Sequence, residues 1–293
     1  MSQREVTIPK SKRERRELLL AAIANLDIET VKVLIEADPV LLNSGNSHGN
    51  DRPLEIAMSV NLDFAGKLIE LGANPRATND GGWSLMDGAA ADGDKERVSF
   101  LRSRGVSYEI HHAAGLDDLE TLKEMIDSDS SSITALKKSR YPLHWAAKAD
   151  ALNAATLLLQ AGASVDVKDK EGFCPLQFAV QNNSGAVAEL LLRSGANPNA
   201  AGTYSGGTLL HRAIMDGSED MVRLLLRHGA SPNCQAYDGK TALHQAVLKN
   251  ARMVTIVCAN PDKNARTRSG DTALDLARKK GNKKIITLLE RMD

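Results

Sequence analysis

The sequence predicts an all-α solenoid in which short helix–turn–helix units stack on one another and are joined by β-turn fingers. One motif returns along the chain as "YPLHWAA", "CPLQFAV", "TLLHRAI", "TALHQAV" and "TALDLAR", beginning at positions 141, 174, 208, 241 and 272. Intervals of 33, 34, 33 and 31 residues separate its central leucines, which are Leu143, Leu176, Leu210, Leu243 and Leu274. A near-constant period of this length is the signature of stacked supersecondary units.

The first half of each unit is predicted to be a turn followed by a helix. With the central leucine as position zero, glycine recurs at −4, threonine at −2, histidine at +1 and alanine at +3. Glycine suits a turn that requires a positive φ, at Gly206, Gly239 and Gly270. A threonine hydroxyl can cap the following helix by accepting its exposed N–H groups, at Thr208, Thr241 and Thr272.

The second half is predicted to be another helix that packs on the first. The unit centred on Leu210 has leucines at 224–226, the pair Gly229–Ala230 and then Asn233. The leucine triplet supplies an apolar stripe, and the small alanine at +3 allows the two helices to approach closely. The glycine ends the second helix as a left-handed C-cap, after which the chain extends into the next turn.

This pattern resembles the ankyrin repeat, whose motif T-P-L-H-x-A is followed by a helix–turn–helix and a β-turn finger. The best match is "YPLHWAA…LLLQAGASVD" over residues 141–166, and the resemblance is clearest from Tyr141 to Asn264. It implies that the +1 imidazoles hydrogen-bond to backbone across the loops, at His111, His144, His211 and His244. It also implies protein binding as a class of function, without indicating the partner.

The register continues upstream with weaker motifs. Segments 19–38, 54–75, 86–105 and 110–126 keep two helices per unit, the last with Ile110 as its anchor and Ala113 as its small residue. Nine units then cover roughly 275 of the 293 residues. We expect one continuous solenoid made of a basic N-terminal segment (1–17), divergent repeats one to three (18–108) and repeats four to nine with a C-terminal cap (109–293).

Two units depart from the period. Only 24 residues separate Met86 from Ile110, so the finger after Gly105 should be missing, and the stack should bend or form a pocket there. In the eighth unit the second helix should be clipped, because "VCANPDKN" replaces the leucine-rich end. The charged segments 11–17 and 278–284 suit the polar outer faces that terminal repeats require.

Composition limits the partners and the compartment. Lys plus Arg and Asp plus Glu are both 37, so no global field attracts nucleic acid or a membrane. No apolar run is long enough for a signal peptide or a membrane span, and the three cysteines form no disulfide or zinc pattern. We expect a cytoplasmic monomer. The basic run over residues 10–16 leaves the nucleus as an alternative, although such a run is more often a solvated first helical turn.

The sequence contains no recognisable catalytic or cofactor motif. It has no nucleophile with a positioned base, no H-E-x-x-H and no phosphate-binding loop, and "GTYSGG" (202–207) leads into a repeat instead of a strand–helix junction. We therefore predict no enzyme activity, no metal and no cofactor. An enzyme hypothesis would depend on His112, which is predicted to stand alone on the inner face of its helix.

Aromatic residues recur in two places. Five of the ten fall in the fingers, at Trp83, Tyr141, Phe173, Tyr204 and Tyr237. The +2 position, predicted to line an inner groove, carries Trp145, Phe178, Arg212 and Gln245, and positions +5 and +6 add Lys148 and Met215. Exposed tryptophan, phenylalanine and arginine are typical of interface hot spots.

The favoured function is a protein–protein interaction scaffold or adaptor that holds a partner protein in the concave groove and at the finger tips. The finger aromatics also have a structural alternative, which is packing on neighbouring fingers. The alternative function is a regulatory or sensing module that binds a small ligand or nucleic acid near residues 100–115, where His111 and His112 are found.

Overall fold

The fold is known from a computed structural model that describes residues 7–44, 52–202, 206–258 and 261–291. Within these ranges, eighteen α-helices pair into nine helix–turn–helix units, with two short 3-10 helices at Pro39–Asn43 and Ser130–Thr134. Isolated β-bridges close fingers at Thr78–Ser84, Lys137–Arg140 and Ala201–Thr208. The predicted all-α repeat architecture and the count of nine units are confirmed.

The chain divides into two compact bodies, and the first contains residues 1–112. Its helices are α1 (Lys12–Ala24), α2 (Ile28–Ala37), α3 (Pro53–Val60), α4 (Leu62–Glu70), α5 (Leu85–Ala91) and α6 (Lys95–Ser103), and α7 (Ile110–Gly115) begins at its boundary. Leucines from successive helices fill its core, including Leu19, Leu34, Leu68 and Leu101.

The second body contains residues 113–293. Its helices are α8 (Leu119–Ser128), α9 (Pro142–Ala149), α10 (Leu152–Gln160), α11 (Pro175–Gln181), α12 (Gly185–Arg193), α13 (Leu209–Asp216), α14 (Glu219–Arg227), α15 (Ala242–Lys249), α16 (Ala251–Val257), α17 (Ala273–Lys279) and α18 (Lys283–Glu290). The first helices of the units, α9, α11, α13, α15 and α17, pack side by side in one row. The second helices pack in another row, which we call the outer row: α10, α12, α14, α16 and α18.

The central leucines are the core of the second body. Leu143, Leu176, Leu210 and Leu243 are fully buried, as are the alanines three residues after them. Burying one leucine side chain stabilises the fold by about 1.5–3 kcal/mol. The methyl side chain of alanine keeps the facing helix close, so the repeated motif directly produces a close-packed row of helices.

Asparagine or aspartate at position +23 joins each finger to the next. The Asp166 carboxylate accepts the N–H of Asn197, Asn199 Oδ1 accepts the N–H of Ser231 at 2.7 Å, and Asn233 Oδ1 accepts the N–H of Asp262 at 2.7 Å. These bonds span about one period each, which explains why a short polar side chain recurs at this position.

The finger after Gly105 is missing, as predicted. Six residues separate the end of α6 at Ser103 from the start of α7 at Ile110. By comparison, a full finger of fourteen residues separates α10, ending at Gln160, from α11, beginning at Pro175.

The eighth unit is clipped, also as predicted. Its second helix, α16, has seven residues, whereas α10, α12 and α14 have nine. At the chain ends, residues 11–17 and 278–284 are mostly exposed, in agreement with a polar face on the terminal units.

The short α16 predicts that the eighth unit is less stable than its neighbour. Val222 in α14 and Val254 in α16 occupy the same helical position, and both are fully buried. We expect Val222→Ala to lower the free energy of unfolding by about 2 kcal/mol and Val254→Ala by clearly less, because a locally loose site relaxes around the cavity. Urea unfolding of the two variants measures the difference, and equal losses would contradict a loose eighth unit.

Candidate functional site

The imidazoles at +1 connect consecutive units. In His144, His211 and His244, Nδ1 accepts a backbone N–H from three residues earlier, at 3.2 Å in each case. Nitrogen Nε2 therefore carries the proton and donates to a backbone carbonyl of the next unit, at 3.0 Å to Phe173, 3.0 Å to Lys240 and 3.2 Å to Asp271. The expected cross-loop hydrogen bonds are confirmed for these three histidines.

Burial keeps these imidazoles neutral. Desolvation lowers the pKa of His144, His211 and His244 below the ordinary histidine value, and the carbonyl partners offset only part of this effect. In the sixth unit a glutamine takes the same place, with Gln177 Oε1 accepting the N–H of Cys174 at 2.5 Å. This position therefore needs a side chain that accepts the N–H of the N-cap residue, and that side chain need not be titratable.

The fourth unit has a different register from the one predicted. Nδ1 of His112 accepts the N–H of Glu109 at 2.9 Å, so His112 occupies the +1 position and His111 takes the place of the central leucine. The prediction that Ile110 is the anchor, His111 the +1 residue and His112 a lone residue on the helix face is wrong. Because two histidines are adjacent, the sequence does not show which of them occupies the +1 position. The hydrogen bonds of each ring decide this.

His112 bonds to a side chain of the preceding unit, whereas the other three imidazoles bond to a backbone carbonyl of the next unit. Its Nε2 donates to Asp87 Oδ1 at 2.9 Å, and Asp87 is itself the +1 residue of the third unit. Asp87 is 1 % exposed, and its Oδ2 accepts the N–H and the hydroxyl of Ser84, each at 2.8 Å. Buried serine, aspartate and histidine are thereby joined in one network.

This network does not have the geometry of a hydrolase triad. In such a triad the histidine takes the proton of the serine hydroxyl, whereas here the Ser84 hydroxyl donates to Asp87. The two nitrogens of His112 are occupied by Asp87 and by the N–H of Glu109. His111 and His112 are both buried, so the hypothesis of a ligand site near residues 100–115 loses the two side chains on which it was based.

Two residues predicted to be exposed in the groove are buried. Trp145 is 3 % exposed and Phe178 is 6 % exposed. The edge of the Phe178 ring is covered by His144 with centroids 5.4 Å apart, and the Arg140 guanidinium lies 4.5 Å from its centre. Helix α9, which carries Trp145, packs on both α10 and α11. The predicted exposure is wrong because large rings at +2 lie against the adjacent unit, and their binding role stays a prediction.

The finger aromatics differ in exposure. Tyr141 is partly exposed and stacks on His144, and Phe173 is partly exposed and packs edge-on to Phe178, as the packing alternative describes. Trp83 is also partly exposed, in a finger whose backbone it closes with Asn79. Tyr237 is 65 % exposed. The predicted site residue Tyr204 lies outside the described residues.

One cleft brings predicted site residues together. It has a volume of about 240 Å³ and lies between α13, α15 and the finger that precedes α15, and we call it the α13–α15 cleft. Met215 and Gln245, both predicted from their repeat positions, line it with Gly207, His211, Ala236, Asp238, Lys240 and Leu248. Leu248 lines the cleft from the same +5 position as Met215, in agreement with the predicted groove positions, whereas sequence reasoning missed Lys240.

The α13–α15 cleft combines apolar walls with polar groups. Met215 is 48 % exposed, and the amide of Gln245 makes no hydrogen bond to the described part of the chain. At the rim, Lys240 Nζ donates to Asp238 Oδ2 at 2.7 Å. Burial raises the pKa of Asp238, but the hydrogen bonds from Lys240 outweigh it and lower the pKa below the ordinary value. The rim of the cleft thus carries an ion pair with no net charge, next to the apolar side chains of the opening.

Tyr237 lies beside the cleft on a glycine. A Cβ on Gly206 would come within 2.5 Å of the Tyr237 ring, and Gly206 has a φ of +74°. Both the ring and the backbone conformation therefore require glycine at this position. One face of the ring covers Gly206, while most of the side chain stays open to solvent.

The two remaining predicted residues lie outside the lining of this cleft. Arg212 Nε donates to Asp216 Oδ2 at 2.6 Å on the same helix, in a partly exposed ion pair. Lys148 belongs to the fifth unit, where its carbonyl accepts the Ser184 hydroxyl at 3.3 Å.

Metal ligands, thiols and membrane-spanning helices are the remaining features of the described residues. In the described ranges, no group of three or more His, Cys, Asp or Glu side chains is arranged to hold a metal ion. The three cysteines are free thiols. Among the helices of the described residues, none has the length and apolar character needed to span a bilayer.

Comparison with known proteins identifies the family. A model of three ankyrin repeats matches residues 110–202 and 210–292, and a model of multiple ankyrin repeats matches residues 186–226. The matches cover more than half of the sequence, and the chain belongs to the ankyrin-repeat family. Ankyrin repeats generally mediate protein–protein interaction.

Solved structures agree with this assignment. An ankyrin repeat domain from Acinetobacter baumannii is 29% identical with a TM-score of 0.58, over 62% of this chain and 96% of that one. A chain from the complex of the predatory endopeptidase Bd0816 of Bdellovibrio bacteriovorus with immunity protein Bd3460 is 26% identical with a TM-score of 0.56, over 64% of this chain and 99% of that one. Among curated proteins, none matches this sequence.

The buried imidazoles predict stability that depends on pH. Their pKa is lowered by folding, so the unfolded chain binds more protons below the ordinary histidine pKa of 6.5, and stability is lost as the pH falls below that value. We expect His211→Gln to make the fall in free energy of unfolding between pH 7.5 and 5.5 shallower, because glutamine keeps the acceptor, as Gln177 does. The reciprocal variant Gln177→His should make it steeper. Urea unfolding across this range measures both slopes, and unchanged slopes would refute the assignment.

The Ser84–Asp87–His112 network predicts a large difference between two related carboxylates. Asp87 and Asp275 both accept the N–H and hydroxyl of their N-cap residue, but Asp275 is partly exposed and caps α17 without a histidine partner. We expect Asp275→Ala to cost about 0.5–2 kcal/mol as a lost cap. Asp87→Ala should cost about 2–4 kcal/mol, because it also leaves the buried N–H of His112 without its acceptor. Denaturant unfolding measures the loss of stability in both variants. Equal losses would show that the hydrogen bond between His112 and Asp87 contributes nothing to stability.

Proposed function

We propose that this protein is an adaptor that binds a partner protein at the α13–α15 cleft and at the finger carrying Tyr237. The observation on which the proposal rests is that Met215 and Gln245 line one cleft and the exposed Tyr237 lies beside it, while the Gln245 amide makes no hydrogen bond to the described residues. Large apolar side chains that face solvent together are typical of interaction sites, and tyrosine is enriched in interface hot spots.

The cleft suits one apolar side chain of the partner. Met215 and Leu248 offer apolar contacts on its walls, and methionine adapts its shape easily because it is unbranched. Gln245 offers both a donor and an acceptor, which suits the backbone of an extended segment. The Asp238–Lys240 pair adds polar groups at the rim, in the arrangement usual for interfaces, with an apolar centre and a polar edge.

Binding would need no chemical step by the protein. The buried imidazoles are engaged in backbone contacts, and the Ser84–Asp87–His112 network has its hydroxyl directed to the carboxylate. The endopeptidase–immunity protein complex with a structurally similar chain is itself an assembly of two proteins, which supports a protein partner for this chain as a class.

Affinity capture from a lysate of the native host tests the proposal. The groove variant combines Met215→Ala, Tyr237→Ala and Gln245→Ala. The matched control combines Leu119→Ala, Leu136→Ala and Leu152→Ala, which are also exposed apolar side chains of the second body but lie outside the cleft. Circular dichroism and urea unfolding first establish that both variants fold as the wild type does.

We expect a protein that is retained by the wild type and the control and lost by the groove variant. Each hot-spot truncation costs about 2 kcal/mol or more, which is about thirty-fold in affinity. If the control loses the same protein, or if the groove variant retains every captured protein, the cleft is not the binding surface.

A further inference from the structure

A second cleft lies on the outer row of helices. It has a volume of about 410 Å³ and is lined by Arg223 of α14, by Ala251, Arg252, Thr255 and Ile256 of α16, and by Lys284 of α18. We call it the α14–α18 cleft. Three of its six lining side chains are cationic, and these three are exposed.

The shape of the cleft follows from the repeat register. Ala251 and Thr255 lie one turn apart on α16, so two small side chains form its floor. At the helical position of Thr255, the preceding helix α14 carries Arg223. Arg223 on α14 and Lys284 on α18 therefore lie on either side of the small side chains of α16.

The positive charge of the cleft is only partly neutralised. Arg252 Nε lies 2.7 Å from Glu219 Oε2. For Arg223 and Lys284, no carboxylate of the described chain lies within ion-pair distance. Two cations thus face the cleft without a counter-ion from the described residues.

The preceding interval of the outer row is different. Between α12 and α14, Glu189 lies 2.7 Å from Arg193, 3.4 Å from His228 and 3.9 Å from Arg227. Both arginines of that interval therefore lie within ion-pair distance of one shared carboxylate. Among the cations of the two intervals, Arg223 and Lys284 are the ones that lack a carboxylate partner in the described part of the chain.

The last unit strengthens the local field. Residues 261–291 contain nine lysines and arginines against four aspartates and glutamates, although the whole chain has 37 of each. Clustered like charges destabilise the folded state by mutual repulsion, and they raise the local concentration of anions in a cleft. Such an imbalance within a neutral chain is typical of a binding surface for an anion.

We propose that the α14–α18 cleft binds a compact phosphate-bearing anion through Arg223, Arg252 and Lys284. The guanidinium groups can each donate two parallel hydrogen bonds to phosphate oxygens, and Lys284 adds a point charge. The Thr255 hydroxyl donates to the Ala251 carbonyl at 3.1 Å, so the cationic side chains are the groups that hold the anion. A compact anion fits better than a long nucleic acid, because the arginines of the preceding interval are already paired with Glu189, which weakens the track of cations that a polyanion needs.

Isothermal titration calorimetry of the full chain with inorganic pyrophosphate tests the site. The site variant is Arg223→Gln with Lys284→Gln. The matched control is Arg193→Gln with Arg227→Gln, which removes the same charge from the same row at two arginines that both lie within ion-pair distance of Glu189. We expect one pyrophosphate per chain, affinity reduced about tenfold or more in the site variant and within about twofold in the control. All four side chains are exposed, so the fold should be kept.

A second variant and a second probe sharpen the result. Thr255→Glu leaves every cation in place but puts a carboxylate on the floor, and it should abolish binding. A peptide with two adjacent phosphoserines tests whether the phosphate is carried by a protein. If the peptide binds more tightly than pyrophosphate and loses affinity in the site variant, the ligand is a phosphorylated protein. If the peptide binds more weakly than pyrophosphate, the ligand is a free phosphate compound. No binding of either probe, equal losses in site and control variants, or tighter binding of duplex DNA would overturn the proposal.

Discussion

The structure depends on the fact that no helix pair can bury its own apolar face. Each central leucine reaches zero or nearly zero exposure only because the next pair packs against it, from Leu143 to Leu243. Stability is therefore a sum of contacts between neighbours, which is the physical basis of a quasi-one-dimensional array. The hydrogen bonds between fingers and the two clefts are also found at junctions between adjacent units.

Backbone groups at these junctions need partners, and the +1 residue supplies them. Histidine, glutamine and aspartate all serve, because each can accept the N–H of the residue that caps its helix. Where a finger follows, the other side of an imidazole finds a loop carbonyl. Between the third and fourth units, where the finger is missing, His112 instead bonds to Asp87 of the preceding unit, and the two side chains form a buried network. Titratable residues of this kind can be mistaken for catalytic ones.

The two faces of the array present different side chains to solvent. On the first helices, Met215 and Gln245 border a cleft, while Trp145 and Phe178 at related positions are buried. On the outer row, the arginines beside Glu189 share its carboxylate, whereas Arg223 and Lys284 line the next cleft with no carboxylate partner among the described residues. Two faces of the same units thus differ in chemistry, one apolar with a polar rim and the other cationic, and the two proposed ligands differ accordingly.

The sequence by itself determined the period, the two helices per unit, the missing finger and the clipped α16, because these follow from spacing and from residues with strong local preferences. It also placed Met215 and Gln245 at positions that line a cleft. Only the tertiary structure decided which rings are covered, since the exposure of Phe178 depends on Arg140 and His144 of the preceding unit. The same holds for the register of His111 and His112, because a shift of one residue changes no composition and is fixed only by the direction of the side chains against their neighbours.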